Sequence, residues 1–270
     1  MKTINDLEDI LRKLRDPETG CSWDKKQTSA SLVPNFIEEV YEAVEAIEDN
    51  NYDSLCEELG DILLHVIFQA HIAEDLHKFT FSEVIERIIS KLIRRHPHVF
   101  PPTASEINTS DFPTTTAISV PEIKQNWEKI KLAEKAGQRK SVLEGVPKNL
   151  PALIQAHRIQ EKAAAVGFDW DCIEPVFDKI QEEIEEVKAE IKSEDFDRLT
   201  DEIGDLFFAC TNLSRMLKID AETALRQSNE KFKKRFQKVE ELCRERNIIM
   251  NEVGLDVLDE LWEISKKSKL

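Results

Sequence analysis

Residues 36–47 read FIEEVYEAVEAI and residues 57–68 read EELGDILLHVIF; further along, residues 182–190 read EEIEEVKAE and residues 201–209 read DEIGDLFFA. In each, apolar positions recur every three or four residues, the period of a helix with one buried face. The acids recur as well. Glu39-x-x-Glu42, fifteen residues and Glu58-x-x-Asp61 return as Glu183-x-x-Glu186, fifteen residues and Glu202-x-x-Asp205, every position displaced by 144. A glutamate precedes the first member of each copy, as Glu38 and Glu182, and a glycine precedes each aspartate, as Gly60 and Gly204. With about a fifth of residues acidic, one four-acid template is expected by chance about 0.4 times over the chain, and a second in the same register about 0.002 times. The shared register therefore marks a duplication. It extends to a third helix, where Lys91-Leu-Ile-Arg-Arg95 matches Lys231-Phe-Lys-Lys-Arg235 at a displacement of 140.

Outward from the repeat, the composition favours helix throughout: of 270 residues only 7 are Gly and 10 Pro, and 33% are charged. Helical periodicity predicts helices near residues 3–15, 30–49, 53–77 and 81–95, then 151–166, 173–193, 195–217, 221–247 and 256–267. Between the two sets, Pro101 to Pro121 is rich in Pro, Ser and Thr and has no helical period, and a short charged helix is expected around Ile123 to Lys135. The expected architecture is all-α: an N-terminal helical bundle over 1–100, a linker and connecting helix over 101–150, and a C-terminal helical bundle over 151–270.

A net charge of −16, from 53 acidic against 37 basic residues, argues against a broad attraction to nucleic-acid phosphates. The charged N-terminus lacks a signal-peptide apolar region and no apolar run approaches membrane-spanning length. Five scattered cysteines, with no C-x-x-C pair, read as reduced thiols. The expectation is a soluble cytoplasmic protein without nucleic-acid or membrane partners.

Residues three apart on a helix share a face, so each E-x-x-E or E-x-x-D aims two carboxylates the same way. Two such helices side by side make a four-carboxylate cluster, whose mutual repulsion a divalent cation would relieve. All candidate ligands are oxygen donors, which suits Mg²⁺ or Mn²⁺ rather than zinc or copper. Mg²⁺ in turn suits phosphate: it keeps positions that phosphate oxygens can take and activates water, the elements of metal-assisted phosphoanhydride hydrolysis. A di-iron bundle would need two E-x-x-H helices, and only Glu74-x-x-His77 fits. His65, one turn after Asp61 in an apolar run, reads as a hydrogen-bonded core residue, and His96 and His98 sit where a helix ends at Pro97.

Those segments, with LRDPETGCSWDKKQT (14–28), RRHPHVF, VGFDWD and NEKFKKRF, resemble the two-domain bacterial form of the MazG family of nucleoside triphosphate pyrophosphohydrolases over essentially the whole chain. The resemblance implies an all-α fold, a homodimer, and Mg²⁺-dependent hydrolysis of nucleoside triphosphates to monophosphate and pyrophosphate with broad base tolerance, a housekeeping of nucleotide pools. It implies metal ligands at Glu183, Glu186, Glu202 and Asp205, with Glu182 beside them as a water-orienting group. It places Lys179, Arg198, Lys231 and Arg235 against the triphosphate and Trp262 near the base. Cations would neutralise charge developing on the leaving pyrophosphate, and an aromatic face stacks on any base.

The halves differ. A shift of 144 carries Lys179 and Arg198 to Asn35 and Ser54, so the first half keeps its carboxylates, Glu39, Glu42, Glu58 and Asp61, without two of the four cations. The expectation is that the C-terminal half carries the main activity and the N-terminal cluster is a second, weaker metal site. Two other functions compete: an acidic scaffold that binds Mg²⁺ or nucleotide without turnover, and a pyrophosphatase narrow for one nucleotide such as dUTP.

Overall fold

The computed structural model describes residues 2–100, 130, 141–193 and 195–267. Its contacts divide the chain into two units, Met1–Ile130 and Lys131–Leu270, a division that falls inside the 101–150 stretch. The Pro-rich linker and the helix expected around 123–135 lie outside the described residues, Ile130 excepted, which is helical. No strand occurs among the described residues, and none of their helices is long and apolar enough to cross a membrane.

The first unit contains α1 (Ile4–Leu14), α2 (Val33–Glu48), α3 (Tyr52–Asp75) and α4 (Phe81–Arg95). The second contains α5 (Ala152–Ala164), α6 (Glu174–Ser193), α7 (Phe196–Met216), α8 (Ala221–Glu245) and α9 (Leu255–Lys267). The repeat survives in the helix starts: α3 and α7 begin 144 residues apart, at Tyr52 and Phe196, and α4 and α8 begin 140 apart, at Phe81 and Ala221. Their caps repeat too. Asn51 and Asp195 each accept from the backbone N–H three residues on, at Ser54 and Arg198, and Thr80 and Asp220 do the same for Glu83 and Thr223, satisfying N–H groups the helix itself leaves unpaired.

Sequence periodicity places α2 three residues too early. Thr28 and Ser31 form a reciprocal turn, each side-chain oxygen accepting from the other's backbone N–H, and the helix starts beyond it with Pro34 in its first turn, where the missing N–H costs nothing. Short 3₁₀ turns at Asp24–Lys26 and Met250–Glu252 carry no periodic signal and were not expected. At the other end of α3, His77 adopts φ +53° and the chain closes with Lys78 N–H donating to the Ala73 carbonyl, the left-handed helix terminus usually built on glycine. Asn50, Lys218 and Asn247 do the same. The Glu74-x-x-His77 pair is therefore not two ligands on one helical face: His77 lies past the end of α3, and Glu74 is paired with Arg12 of α1 at 3.1 Å.

In the first unit α1, α3 and α4 bury Leu11, Ile67, Phe68, Ala70, Ile72 and Phe81 together with Leu32. Arg15 reinforces the α1–α3 seam, pairing with Asp75 at 2.6 Å and lying over the Phe68 ring at 5.1 Å. In the second unit Val239, Leu242 and Cys243 of α8 pack on Leu261 of α9, α6 packs on α7, and α5 packs on α7, where the buried Gln160 donates to the Phe208 carbonyl at 2.8 Å. α2 lies against α3 as α6 lies against α7. Each unit thereby sets its two acid-bearing helices side by side.

Candidate metal centre

Glu183 and Glu186 leave α6 on one face, and Glu202 faces them from α7; each offers an oxygen such that all three lie within 4.8 Å of one another. Glu183 is the innermost. It is only 3% exposed, its Oε1 meets the Lys179 ammonium at 2.7 Å, and its Oε2 is buried with no hydrogen-bond partner among the described residues. A buried carboxylate oxygen without a partner is costly, and one that shares a small space with two further carboxylates fits a hard divalent cation. Lys179 also holds Glu182 at 2.8 Å. These two hydrogen-bonded carboxylates, Glu182 foremost, hold the lysine's pKa well above its ordinary value. Glu186 is pushed above the usual carboxylate range, first by burial and then by the charges of Glu202 and Glu183.

Asp205, fourth by spacing, is exposed and stands outside the three-way grouping. The first unit leaves out a different member. There Glu39, Glu58 and Asp61 lie within 4.8 Å of one another, all half-buried, while Glu42 is exposed and apart. In both units the acid left out is an exposed one, where water already solvates its charge. Burial, then repulsion from Asp61 and Glu42, raises the pKa of Glu39; burial, then Glu42 and Glu39, raises that of Glu58. Among the described residues no lysine is ion-paired to this cluster: position 35 is Asn, and Ser54 is taken up by the Asn51 cap, its Oγ 2.7 Å from Nδ2.

His65 departs from expectation. It is buried and stacks on Phe36 with ring centroids 5.6 Å apart, as a core residue should, but its buried Nδ1 has no hydrogen-bond partner among the described residues. Burial pushes its pKa down, against the pull of Asp61. His96 caps α4, with Nδ1 2.6 Å from the Leu92 carbonyl oxygen and its ring 5.7 Å from that of His98.

The remaining cations are not ion-paired to the second unit's cluster among the described residues. Arg198 lies exposed near Glu190 and Asp195, at 3.9 and 3.7 Å. Lys231 and Arg235 project from α8 four residues apart. Beside them is a feature the sequence reading missed: Phe232 stacks on Phe236 at 5.9 Å and meets Trp262 of α9 at 5.1 Å. The i, i+4 phenylalanines of KFKKRF were the available signal; Trp262, a distant residue in sequence, could not be paired with them in advance. Trp262 also borders the Leu261 core.

Gly60 and Gly204 are a further correction. A glycine inside a helix beside the carboxylates suggests close packing or the close approach of a ligand; a Cβ added at either meets nothing within 4 Å, which removes the packing reading. Nothing among the described residues requires these glycines, so Gly60→Ala should stabilise the protein by about 0.5–1 kcal/mol, the helix-propensity difference. A urea-denaturation midpoint that rises checks it, and a fall would show that something approaches that surface. Gly20 is the opposite case, since its added Cβ would lie 2.5 Å from the carbonyl oxygens of both Asp16 and Leu14.

The family model described as the MazG nucleotide pyrophosphohydrolase domain matches residues 27–100 and 174–240, the two acid-bearing regions. The chain is 42% identical over 273 residues to the nucleoside triphosphate pyrophosphohydrolase of Escherichia coli K12, covering 100% of this chain and 99% of that protein. It is 44% identical over 263 residues to the nucleoside triphosphate pyrophosphohydrolase/pyrophosphatase MazG of Thermotoga maritima, covering 97% and 95%. A nucleoside triphosphate pyrophosphohydrolase of Mycobacterium tuberculosis is 36% identical over 163 residues, 60% of this chain and 46% of that protein.

Proposed function

Because this chain belongs to the MazG nucleotide pyrophosphohydrolase family, we propose that it cleaves nucleoside triphosphates to monophosphate and pyrophosphate at the carboxylate cluster of its second unit, with Mg²⁺ as the ion. It is a nucleoside triphosphate pyrophosphohydrolase, a hydrolase of phosphoanhydrides. The observation that carries the assignment to this cluster is Glu183: buried, with one oxygen on Lys179 and the other without a partner, beside Glu186 and Glu202.

Glu183, Glu186 and Glu202 would hold the ion, with Asp205 swinging in from its exposed position one turn along α7 from Glu202. The ion supplies charge neutralisation at the phosphates and a water acidic enough to attack. The protein's own groups do the rest. Glu182, outside the three-way cluster and hydrogen-bonded to Lys179, accepts a proton from the attacking water or orients it. Lys179, Arg198, Lys231 and Arg235 take the negative charge that collects on the departing pyrophosphate. The Phe232–Trp262 face gives the base a surface that stacks without reading its edge, which supports broad base tolerance. The first unit lacks the counterparts of Lys179 and Arg198, two of the cations that would take charge from the leaving pyrophosphate, and contributes little turnover.

The working form is a homodimer in the cytoplasm. Support for the dimer comes from Phe207 and Phe208 of α7, 61% and 42% exposed, which a partner surface would cover; light scattering should give twice the chain mass of 31.1 kDa. Support for the compartment comes from five free thiols, four of them exposed, which a reducing environment keeps unpaired.

The test is pyrophosphate release from the four ribonucleoside triphosphates and their deoxy counterparts with Mg²⁺. Release from all of them, abolished by a chelator, is expected; release from a single nucleotide would replace broad housekeeping with a narrow role. Metal binding needs ionised ligands, and burial with the charges of Glu202 and Glu183 raises the pKa of Glu186, so protons compete with the ion at this ligand. The rate should therefore hold at neutral pH and start to fall, on acidification, before ordinary carboxylates titrate.

A further inference from the structure

We propose that Lys179 is a stand-in cation: it occupies Glu183 when the metal is away, must leave when the metal enters, and is thereby delivered to the triphosphate. This rests on the reading of Glu183, Glu186 and Glu202 as metal ligands.

Lys179 Nζ lies 2.7 Å from Glu183 Oε1 and 2.8 Å from Glu182 Oε1, so the one buried carboxylate of the cluster is already half neutralised by the protein itself. The pairing is not explained by helix stability. On a helix the favourable order places the acid four residues before the base, and here the base comes first. The side chain is 37% exposed, with a flexible four-carbon stem, so it has a way out. A dication set among Glu183, Glu186 and Glu202 would share Glu183 with this ammonium, and two cations on one carboxylate repel each other strongly in a partly buried site. The ammonium, the monovalent and mobile partner, gives way.

The consequence is ordered coupling. Metal frees Lys179 for phosphate oxygens, and phosphate drawing Lys179 away opens Glu183 to metal, so each strengthens the other's binding by the same factor. The repeat supplies a natural contrast: Asn35 stands where Lys179 does, and among the described residues no cation is ion-paired to the first unit's cluster. Metal would enter there without displacing anything, and without positioning anything either.

The experiment is Mn²⁺ binding to the full chain, read from the electron paramagnetic resonance of free Mn²⁺ at neutral pH without nucleotide. Glu39 and Glu42 are first changed to Gln so that only the second cluster titrates. Against that background Lys179→Met should bind Mn²⁺ about tenfold tighter, Lys179→Arg should match the lysine form, and Glu183→Gln should lose the site. Lys188→Met removes the same charge from the same helix, where it pairs with Glu185 rather than the cluster, and should change affinity less than twofold. If Glu183→Gln loses Mn²⁺ but Lys179→Met binds no tighter than Lys188→Met, the stand-in role is wrong and the metal site stands. If Glu183→Gln binds as well as its parent, the metal site is misplaced and the stand-in role falls with it.

Discussion

Glu183→Gln is expected to lower kcat/KM for nucleoside triphosphates about a thousandfold while the protein stays folded. The amide keeps the size of the side chain and can still accept from Lys179, but it removes the buried anion on which the cluster turns. A neutral amide oxygen beside Glu186 and Glu202 makes a much poorer ligand for a hard dication. Lost or misplaced metal takes away both charge neutralisation and the activated water, and a thousandfold corresponds to about 4 kcal/mol of transition-state stabilisation. Stability should move little, because Lys179 is part-exposed and retains Glu182, and pairs of that kind contribute about 0–1 kcal/mol. Steady-state kinetics beside a thermal melt reads both. A variant that melts as wild type and turns over within tenfold of it would remove Glu183 from the reaction.

The second large effect belongs to α8. Lys231→Met with Arg235→Met should cost at least a hundredfold in kcat/KM, about 3 kcal/mol or more, with the loss divided between KM and kcat. Both side chains project from one face of α8 beside the Phe232–Trp262 pair, and a charge-assisted hydrogen bond to phosphate contributes about 1.5–3 kcal/mol. Methionine keeps an unbranched apolar stem, so the aromatic contacts survive and near-ultraviolet circular dichroism should be unchanged. A loss confined to KM would mean that the two cations bind ground state and transition state alike. An unchanged kcat/KM would separate α8 from the substrate altogether.

Much of this was legible in the sequence because helix geometry is local. The i, i+3 acids had to share a face, and the repeat showed which two helices belonged together, so Glu183, Glu186 and Glu202 could be named as a set before the fold was known. What the sequence hid depended on contacts between distant residues or on water. Asp205 and Glu42 carry the same spacing as their neighbours yet fall outside the three-way groupings, a difference of side-chain placement that helical spacing does not encode. His77 looks like part of α3 until the left-handed turn places it beyond the end. Gly60 and Gly204 suggested close packing or close ligand approach, and the empty space around them removes the first. Trp262 could be expected near the nucleotide, but not that Phe232 and Phe236 would build a surface with it. The Lys179–Glu183 pair is at a spacing any helix brings together; that Glu183 is also the buried member, with its second oxygen unpartnered, required the packing of α6 on α7.

Under the proposed function the second unit, not the first, performs the hydrolysis. The direct measurement is pyrophosphate release by two variants made side by side, Glu39→Gln with Glu42→Gln in the first unit and Glu183→Gln with Glu186→Gln in the second. The first pair should keep most of the wild-type rate and the second should lose nearly all of it. If instead the first pair abolishes turnover and the second preserves it, the active cluster is the one with Asn35 in the place of Lys179, and the roles of the two halves are reversed.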